Sequence, residues 1–200
     1  MKYTYYLCLI GIIFLSSTNL AAQQKSDDLE NLYENFLASR VNQDYESAIA
    51  LGERIFPKKT AFSEKRQLVF TYSLAKIYED NNQIEKALPL YQEVLAKEPN
   101  YYVPHRALGF YYLNKSNELV PQLKAANNGT EQRKLQMEKY RGLLLQALPH
   151  LEKAYACDPD DETLAIIRNL MTAVGPKAKT QEFESRVAQM KETCVSILTE

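Results

Sequence analysis

Two stretches of this chain repeat each other at a fixed distance, and this self-similarity limits the possible folds more than any other feature. Residues 86–100, KALPLYQEVLAKEPN, align with residues 146–160, QALPHLEKAYACDPD, at an offset of 60 positions. The pattern Leu-Ala-x-x-Tyr at 74–78 returns as Leu-Gly-x-x-Tyr at 108–112, at an offset of 34. Periods of this length are typical of chains that stack one small supersecondary unit on the next.

The residue types at the repeated positions indicate pairs of closely packed helices. Small residues such as Ala75, Gly109 and Ala87 suit places where two helices cross, and tyrosines fill the gaps beside them. Pro99 ends a helix, because the residue before a proline disfavours the helical conformation. The repeated positions are Leu74, Ala75, Tyr78, Ala87 and Pro99, which return as Leu108, Gly109, Tyr112, Ala147 and Pro159.

These positions and spacings resemble the tetratricopeptide repeat (TPR), a helix–turn–helix unit of 34 residues. In residues 68–101 the pattern is complete except for the family's tryptophan, and the resemblance adds Tyr91 to the signature positions. The resemblance implies an all-α, right-handed solenoid of about four helix pairs. The expected repeats cover residues 29–60, 68–101, 102–160 and 161–200, of which the first is degenerate and the last lacks the small-residue signature.

The third repeat contains an insertion at 113–138. The distance from its Tyr to its Ala is 35 residues, whereas the second repeat has 9, so 26 residues are added. We expect both helices of this repeat to lengthen by about 13 residues into a hairpin that protrudes about 20 Å. Asn100 is the expected N-cap of its first helix and Thr130 that of its second arm, after a turn at 127–129.

Two prolines are expected to interrupt this hairpin. Pro121 should break the first arm near residues 117–120, and Pro149 should bend the second arm near Leu145.

The first 22 residues have the pattern of a secretory signal peptide. Lys2 is followed by an apolar run at 5–15 and then by small residues that end at Ala22. The apolar run is too short to span a membrane, which takes about 20 residues. The sequence therefore predicts an exported bacterial protein, periplasmic or secreted, with a flexible mature N-terminus at 23–28. We expect it to be soluble, without membrane insertion after cleavage.

Export changes the interpretation of the cysteines. Cys8 leaves with the leader, while Cys157 and Cys194 remain in an oxidising compartment. The expected helix order brings the two cysteines to the same end of the stack, so a disulfide is geometrically reasonable. Two free, half-buried thiols are the alternative, and the sequence favours them.

The sequence contains no recognisable catalytic or metal-binding constellation. The two histidines, His105 and His150, lack a partner at ligand spacing and are interpreted as structural or solvent-exposed. The acidic run at 158–162 suits helix capping. A net charge of −1 argues against nucleic-acid binding. We therefore expect no enzyme activity, no cofactor and no metal.

The TPR resemblance implies that first helices line a concave face that holds a partner peptide or helix. On this face the resemblance places Tyr72, Lys76, Arg106 and Phe110. The expected function is a non-enzymatic protein–protein interaction scaffold or adaptor in the bacterial cell envelope, with the hairpin as a second candidate contact. The alternative is a small-molecule or glycan-binding accessory protein, which three or more exposed tyrosines on this face would favour. An enzyme subunit is a further alternative.

Overall fold

The computed structural model describes residues 28–175, 182–196 and 198. These residues form an all-α protein without strands, apart from one isolated parallel bridge between Tyr101 and Val195. The signal peptide predicted at 1–22 lies outside the described residues. Within the described residues, no helix combines the length and the apolar character that crossing a membrane requires.

Consecutive helices pack against one another along the chain. The helices are α1 (residues 28–41), α2 (Tyr45–Ile55), α3 (Glu64–Asp80), α4 (Ile84–Lys97), α5 (Tyr102–Asn117), α6 (Val120–Ala125), α7 (Glu131–Cys157), α8 (Asp161–Val174) and α9 (Phe183–Glu192), with a 3₁₀ segment at Phe56–Ala61. The main pairings are α2 with α3, α3 with α4, α4 with α5, α5 with α7, and α7 with both α8 and α9.

Short polar side chains begin four of these helices. Asp44, Ser63, Thr130 and Asp160 each accept a hydrogen bond from the backbone N–H three residues further on. Such caps satisfy one of the N–H groups that a helix start leaves without an intrahelical partner. The predicted N-cap at Thr130 and the capping role of the acidic run at 158–162 are thereby confirmed.

The predicted N-cap at Asn100 is wrong. α5 begins one residue later, after Tyr101, which makes no side-chain capping bond. The Asn100 side chain instead accepts a hydrogen bond from Lys153 Nζ at 3.2 Å, and its carbonyl accepts one from the Val195 N–H at 3.0 Å. Contacts with α7 and with the C-terminal segment thus occupy the groups that a local cap would have used.

The inserted segment breaks where Pro121 was expected to break it. α5 ends at Asn117, and the six-residue α6 begins at Val120 with Pro121 in its first turn, where a missing N–H has no cost. α7 continues as one helix of 27 residues through Pro149. The Arg133 guanidinium joins the two arms by donating to the carbonyls of Leu123 and Ala126.

The apolar interior has two clusters. The first lies among α1–α4 and contains an aromatic group of Tyr33, Phe36, Phe62 and Phe70 with ring centroids 5.1–6.3 Å apart. The second is formed by α7, α8 and α9 around Leu144, Leu151, Ile167 and Phe183, with partly buried α5 residues against it. Of the signature positions of the repeat, Leu74, Ala75, Tyr78, Ala87, Tyr91, Leu108, Gly109 and Ala147 are buried, Tyr112 is half-buried, and Pro99 and Pro159 are exposed.

Gly109 allows the close approach of α5 and α7. A Cβ atom at this position would lie 2.7 Å from the Leu151 side chain and 3.2 Å from the Leu151 backbone nitrogen. Real Cβ atoms do not tolerate such contacts, so a larger residue would push the two helices apart.

The segment after α8 is fastened to α7 by a covalent bond and an ion pair. Cys157 and Cys194 form a disulfide with their Cα atoms 5.5 Å apart, contrary to the free thiols that the sequence favoured. Glu152, 3 % exposed, accepts two hydrogen bonds from the Arg186 guanidinium of α9, at 3.1 and 2.5 Å. A bidentate pair of this kind fixes orientation as well as distance.

Replacing Gly109 by alanine should destabilise the protein by about 1–2 kcal/mol, because overpacking against Leu151 outweighs the better helix propensity of alanine. The matched control is Gly142→Ala in α7, where a Cβ meets no atom within 4 Å. This control should stabilise the protein by about 0.5–1 kcal/mol. Urea unfolding of both variants measures the difference, and equal midpoints would contradict the proposed close contact.

Candidate functional site

A group of tyrosines joins α3 and α5 on one side of the molecule. The Tyr72 ring meets the Tyr101 ring edge to face with centroids 4.9 Å apart, and it lies 6.4 Å from Tyr91. Tyr102 continues the row, 6.5 Å from Tyr101. Tyr91 and Tyr101 are 0 % and 3 % exposed, whereas Tyr72 and Tyr102 are half-buried. Two buried rings therefore support two rings that reach the surface.

Basic side chains border these tyrosines. Lys76 lies one turn after Tyr72 on α3 and pairs with Asp80 and with Glu79 at 3.6 Å. On α5 the Arg106 guanidinium lies over the Phe110 ring, 5.7 Å from its centroid. Tyr72, Lys76, Tyr102, Arg106 and Phe110 are called the tyrosine face below.

Acidic residues partly neutralise the α5 end of the tyrosine face. Arg106 Nη1 lies 3.9 Å from a carboxylate oxygen of Asp158 and 3.8 Å from one of Asp160, and the Arg106 side chain is 46 % exposed. Such long, exposed contacts contribute little stability, which leaves the guanidinium accessible to another anion. Burial and the negative charge of Asp158 raise the pKa of Tyr102 and keep its hydroxyl protonated.

Of the residues that the sequence singled out, Tyr72 and Lys76 lie one turn apart on α3, and Arg106 and Phe110 lie one turn apart on α5. The rings of Tyr101 and Tyr102 connect Tyr72 to the start of α5. Sequence reasoning did not assign Tyr101, Tyr102 or Asp158 to this surface. The family resemblance had marked Tyr91 as a signature position of the repeat, and the Tyr91 hydroxyl donates to Glu79 at 2.5 Å. Burial, followed by the charge of Glu79, raises the pKa of Tyr91.

The two histidines form a pair that their sequence spacing does not reveal. His105 Nδ1 and His150 Nδ1 lie 2.8 Å apart across α5 and α7, and His105 Nε2 lies 3.0 Å from the Pro99 carbonyl. A carbonyl can only accept, so His105 carries its proton on Nε2 and its Nδ1 accepts from the His150 Nδ1–H. Neither histidine has a partner at ligand spacing in the sequence, but in the folded chain the two histidines are each other's partner.

The histidine pair is suited to holding helices together in its neutral form. Burial lowers the pKa of both histidines, and that of His150 falls to about 4. Tyr112 stacks on the His150 ring with centroids 6.0 Å apart. Within the described residues, no group of three or more His, Cys, Asp or Glu side chains could hold a metal ion.

A shallow depression lies beside the histidine pair, with a volume of about 350 Å³ and a lining that includes His105, Lys153, Met190 and Thr193. Lys153 is 5 % exposed, and burial lowers its pKa. Its ammonium group donates to Asn100 Oδ1 at 3.2 Å and to Met190 O and Thr193 Oγ1, both at 3.0 Å. One donor thus joins α7 to the loop before α5, and the other two join α7 to the end of α9 and to Thr193, which indicates a structural role.

Comparisons with protein-family models, with curated proteins and with solved structures found no match to this chain.

Stability should fall as the pH drops from about 6.5 towards 4, because His150 takes up a proton more readily in the unfolded chain than in the folded one. Since His150 is partly exposed, we expect its contribution between pH 7 and pH 5 to be about 1 kcal/mol. The variant His150→Gln retains an N–H donor for His105 but does not titrate. The urea midpoint should decrease less between pH 7 and pH 5 for His150→Gln than for the wild type. An equal decrease would show that the pair does not sense pH.

Proposed function

We infer that this protein is a non-enzymatic protein–protein interaction scaffold, built from stacked TPR-like helix pairs, that binds a partner peptide or helix on the tyrosine face. The leader pattern of residues 1–22 supports a site of action in the bacterial cell envelope or outside the cell. In this proposal the helix pairs form a right-handed solenoid, and the tyrosine face lies on its concave side.

A repeated turn supports the helix-pair architecture. The turn at 42–44 after α1 and the turn at 81–83 after α3 make the same three backbone hydrogen bonds, at an offset of 39 residues. The middle residues, Gln43 and Asn82, both have φ of 57°. This is the left-handed conformation that commonly ends helices. Two different sequences thus produce one turn geometry, as expected for repeats of one structural unit.

The observation that carries the binding proposal is the composition and support of the tyrosine face. Half-exposed Tyr72 and Tyr102 rest on buried rings and are bordered by Arg106 and Lys76. Tyrosine and arginine are enriched where protein partners bind, because both present a large contact area together with hydrogen-bond donors. Rings that are already packed from below lose little conformational freedom when a partner covers them.

The alternative of glycan or small-molecule binding receives less support. Its stacking platform would need three or more exposed tyrosines, and two of the four clustered rings, Tyr91 and Tyr101, are buried. An enzyme subunit is also less favoured, since the described histidines engage each other and a backbone carbonyl.

The inserted hairpin is a second candidate contact of the same scaffold. Leu135, in the first half of α7 near the hairpin tip, is 69 % exposed. A large apolar side chain at this position suits a partner surface, but a single exposed leucine is common on protein surfaces. The tyrosine face therefore remains the first choice.

Changing both Tyr72 and Arg106 to alanine should decrease the amount of a specifically captured partner at least tenfold, because interface tyrosines and arginines each contribute about 1–2 kcal/mol or more. The measurement is quantitative capture from an envelope extract of the native host, with circular dichroism to check folding. Val41→Ser is the matched control, since Val41 is an exposed apolar residue (79 %) on α1.

The outcomes of this experiment separate the two surfaces. Loss of the partner with Leu135→Ser alone would assign the contact to the hairpin. Undiminished capture by the Tyr72→Ala, Arg106→Ala variant would contradict binding at the tyrosine face. Retention on a glycan or metabolite array without any protein partner would contradict the scaffold function itself.

A further inference from the structure

The segment after α9 pairs with the chain in front of α5 as an extended peptide would. The Val195 N–H donates to the Asn100 carbonyl at 3.0 Å, and the Val195 carbonyl accepts from the Tyr102 N–H at 3.2 Å. Together they form the parallel bridge between Val195 and Tyr101. Tyr102 belongs to the tyrosine face, so this contact lies at the border of the proposed binding surface.

The start of α5 is suited to accept such a peptide. The first N–H groups of a helix lack intrahelical acceptors, and Tyr101 supplies no side-chain cap at this end. A carbonyl from another segment can take that place, as the Val195 carbonyl does for the Tyr102 N–H. Recognition by backbone pairing to an exposed edge is a common way of binding extended peptides. Residues 100–102 are called the peptide edge below.

Two attachments of different kinds hold the C-terminal segment here. Lys153 binds the Met190 carbonyl and Thr193 Oγ1, and so secures the chain as far as residue 193. Beyond that point the disulfide attaches Cys194, which directly precedes Val195, to Cys157 at the end of α7. If the disulfide is broken, Val195 still makes its two backbone hydrogen bonds to the peptide edge. Each such bond contributes modestly, because water competes for the same groups.

We propose that residues 194–196 are an internal ligand that occupies the peptide edge, and that the Cys157–Cys194 disulfide locks them there. The partner for this edge is an extended peptide that pairs in parallel with residues 100–102 and places an aliphatic residue at the position of Val195. The location of the edge beside a binding surface rests on the proposed function, whereas the locking by the disulfide does not.

The lock opens by thiol–disulfide exchange. A dithiol reductant supplies two electrons and two protons, the bond between the Cys157 and Cys194 sulfurs breaks, and two thiols form while the reductant closes its own disulfide. Both cysteines are half-buried rather than fully enclosed. Reduction leaves Thr193 attached through Lys153 and frees residues 194–196. The Asn100 carbonyl and the Tyr102 N–H then become available to a partner.

Amide hydrogen exchange tests the lock. The oxidised protein is compared with the Cys157→Ser, Cys194→Ser variant, and exchange is followed residue by residue by NMR. We expect the Val195 and Tyr102 amides to exchange at least tenfold faster in the variant, while the interior amides of α3 and α4 stay protected. Unchanged protection of Val195 and Tyr102 would overturn the proposal. So would loss of protection throughout α3 and α4, because the disulfide would then hold the whole fold rather than the segment.

A peptide added in trans tests the edge itself. The probe is fluorescein-labelled ETSVSILTE, which is residues 192–200 with Cys194 replaced by serine. It should bind the double-serine variant at least tenfold more tightly than the oxidised wild type. The matched control peptide carries Val195→Pro, which removes the N–H that donates to Asn100 and should abolish binding. Equal binding to both proteins, or equal binding of both peptides, would overturn the internal-ligand assignment.

These measurements are independent of partner capture. If the Tyr72→Ala, Arg106→Ala variant captures as much partner as the wild type but the peptide binds as expected, the proposed function is wrong and the internal ligand stands. If capture depends on the tyrosine face but the peptide does not bind, the proposed function stands and the internal-ligand assignment is wrong.

Discussion

The contact between α5 and α7 is the constraint on which the second half of the molecule depends. Gly109 lets the α5 backbone approach Leu151 so closely that a single methyl group would not fit. This approach also brings His105 of α5 to His150 of α7, and it brings Asn100, just before α5, to Lys153 of α7. α7 in turn carries α8 and α9. A residue without a side chain therefore sets the positions of several side-chain contacts along the interface.

Local features of the fold could be predicted from the sequence because neighbouring residues determine them. Thr130 begins α7 and Pro121 interrupts the insertion, each for reasons contained within a few residues. Small residues at repeated positions also indicated where helices would pack. Asn100 shows the limit of this reasoning, because the capping role expected from its position was displaced by contacts with residues 53 and 95 positions away.

The candidate site was predictable only in part. The family resemblance selected Tyr72, Lys76, Arg106 and Phe110, and their assignment to one binding surface is part of the proposal. The structure shows the Arg106 guanidinium over the Phe110 ring and the Tyr72 ring in contact with Tyr101. The buried support from Tyr101 and the acidic neighbour Asp158 depend on how the helices cross, which residue spacing does not specify. The histidine pair, whose members are 45 residues apart, depends on the same crossing. Neither histidine belongs to a recognisable ligand motif, so the pair could not be predicted from the sequence and is visible only in the structure.

The length of α7 has a mechanical consequence. Its 27 residues form a rod of about 40 Å that bears the short arm α6 near one end and the cystine near the other. Arg133 ties α6 to this rod at the first end, while Glu152 and Lys153 tie α9 and the C-terminal segment to it at the second. The inserted arm and the cystine are therefore attached to one continuous helix and are held apart by most of its length.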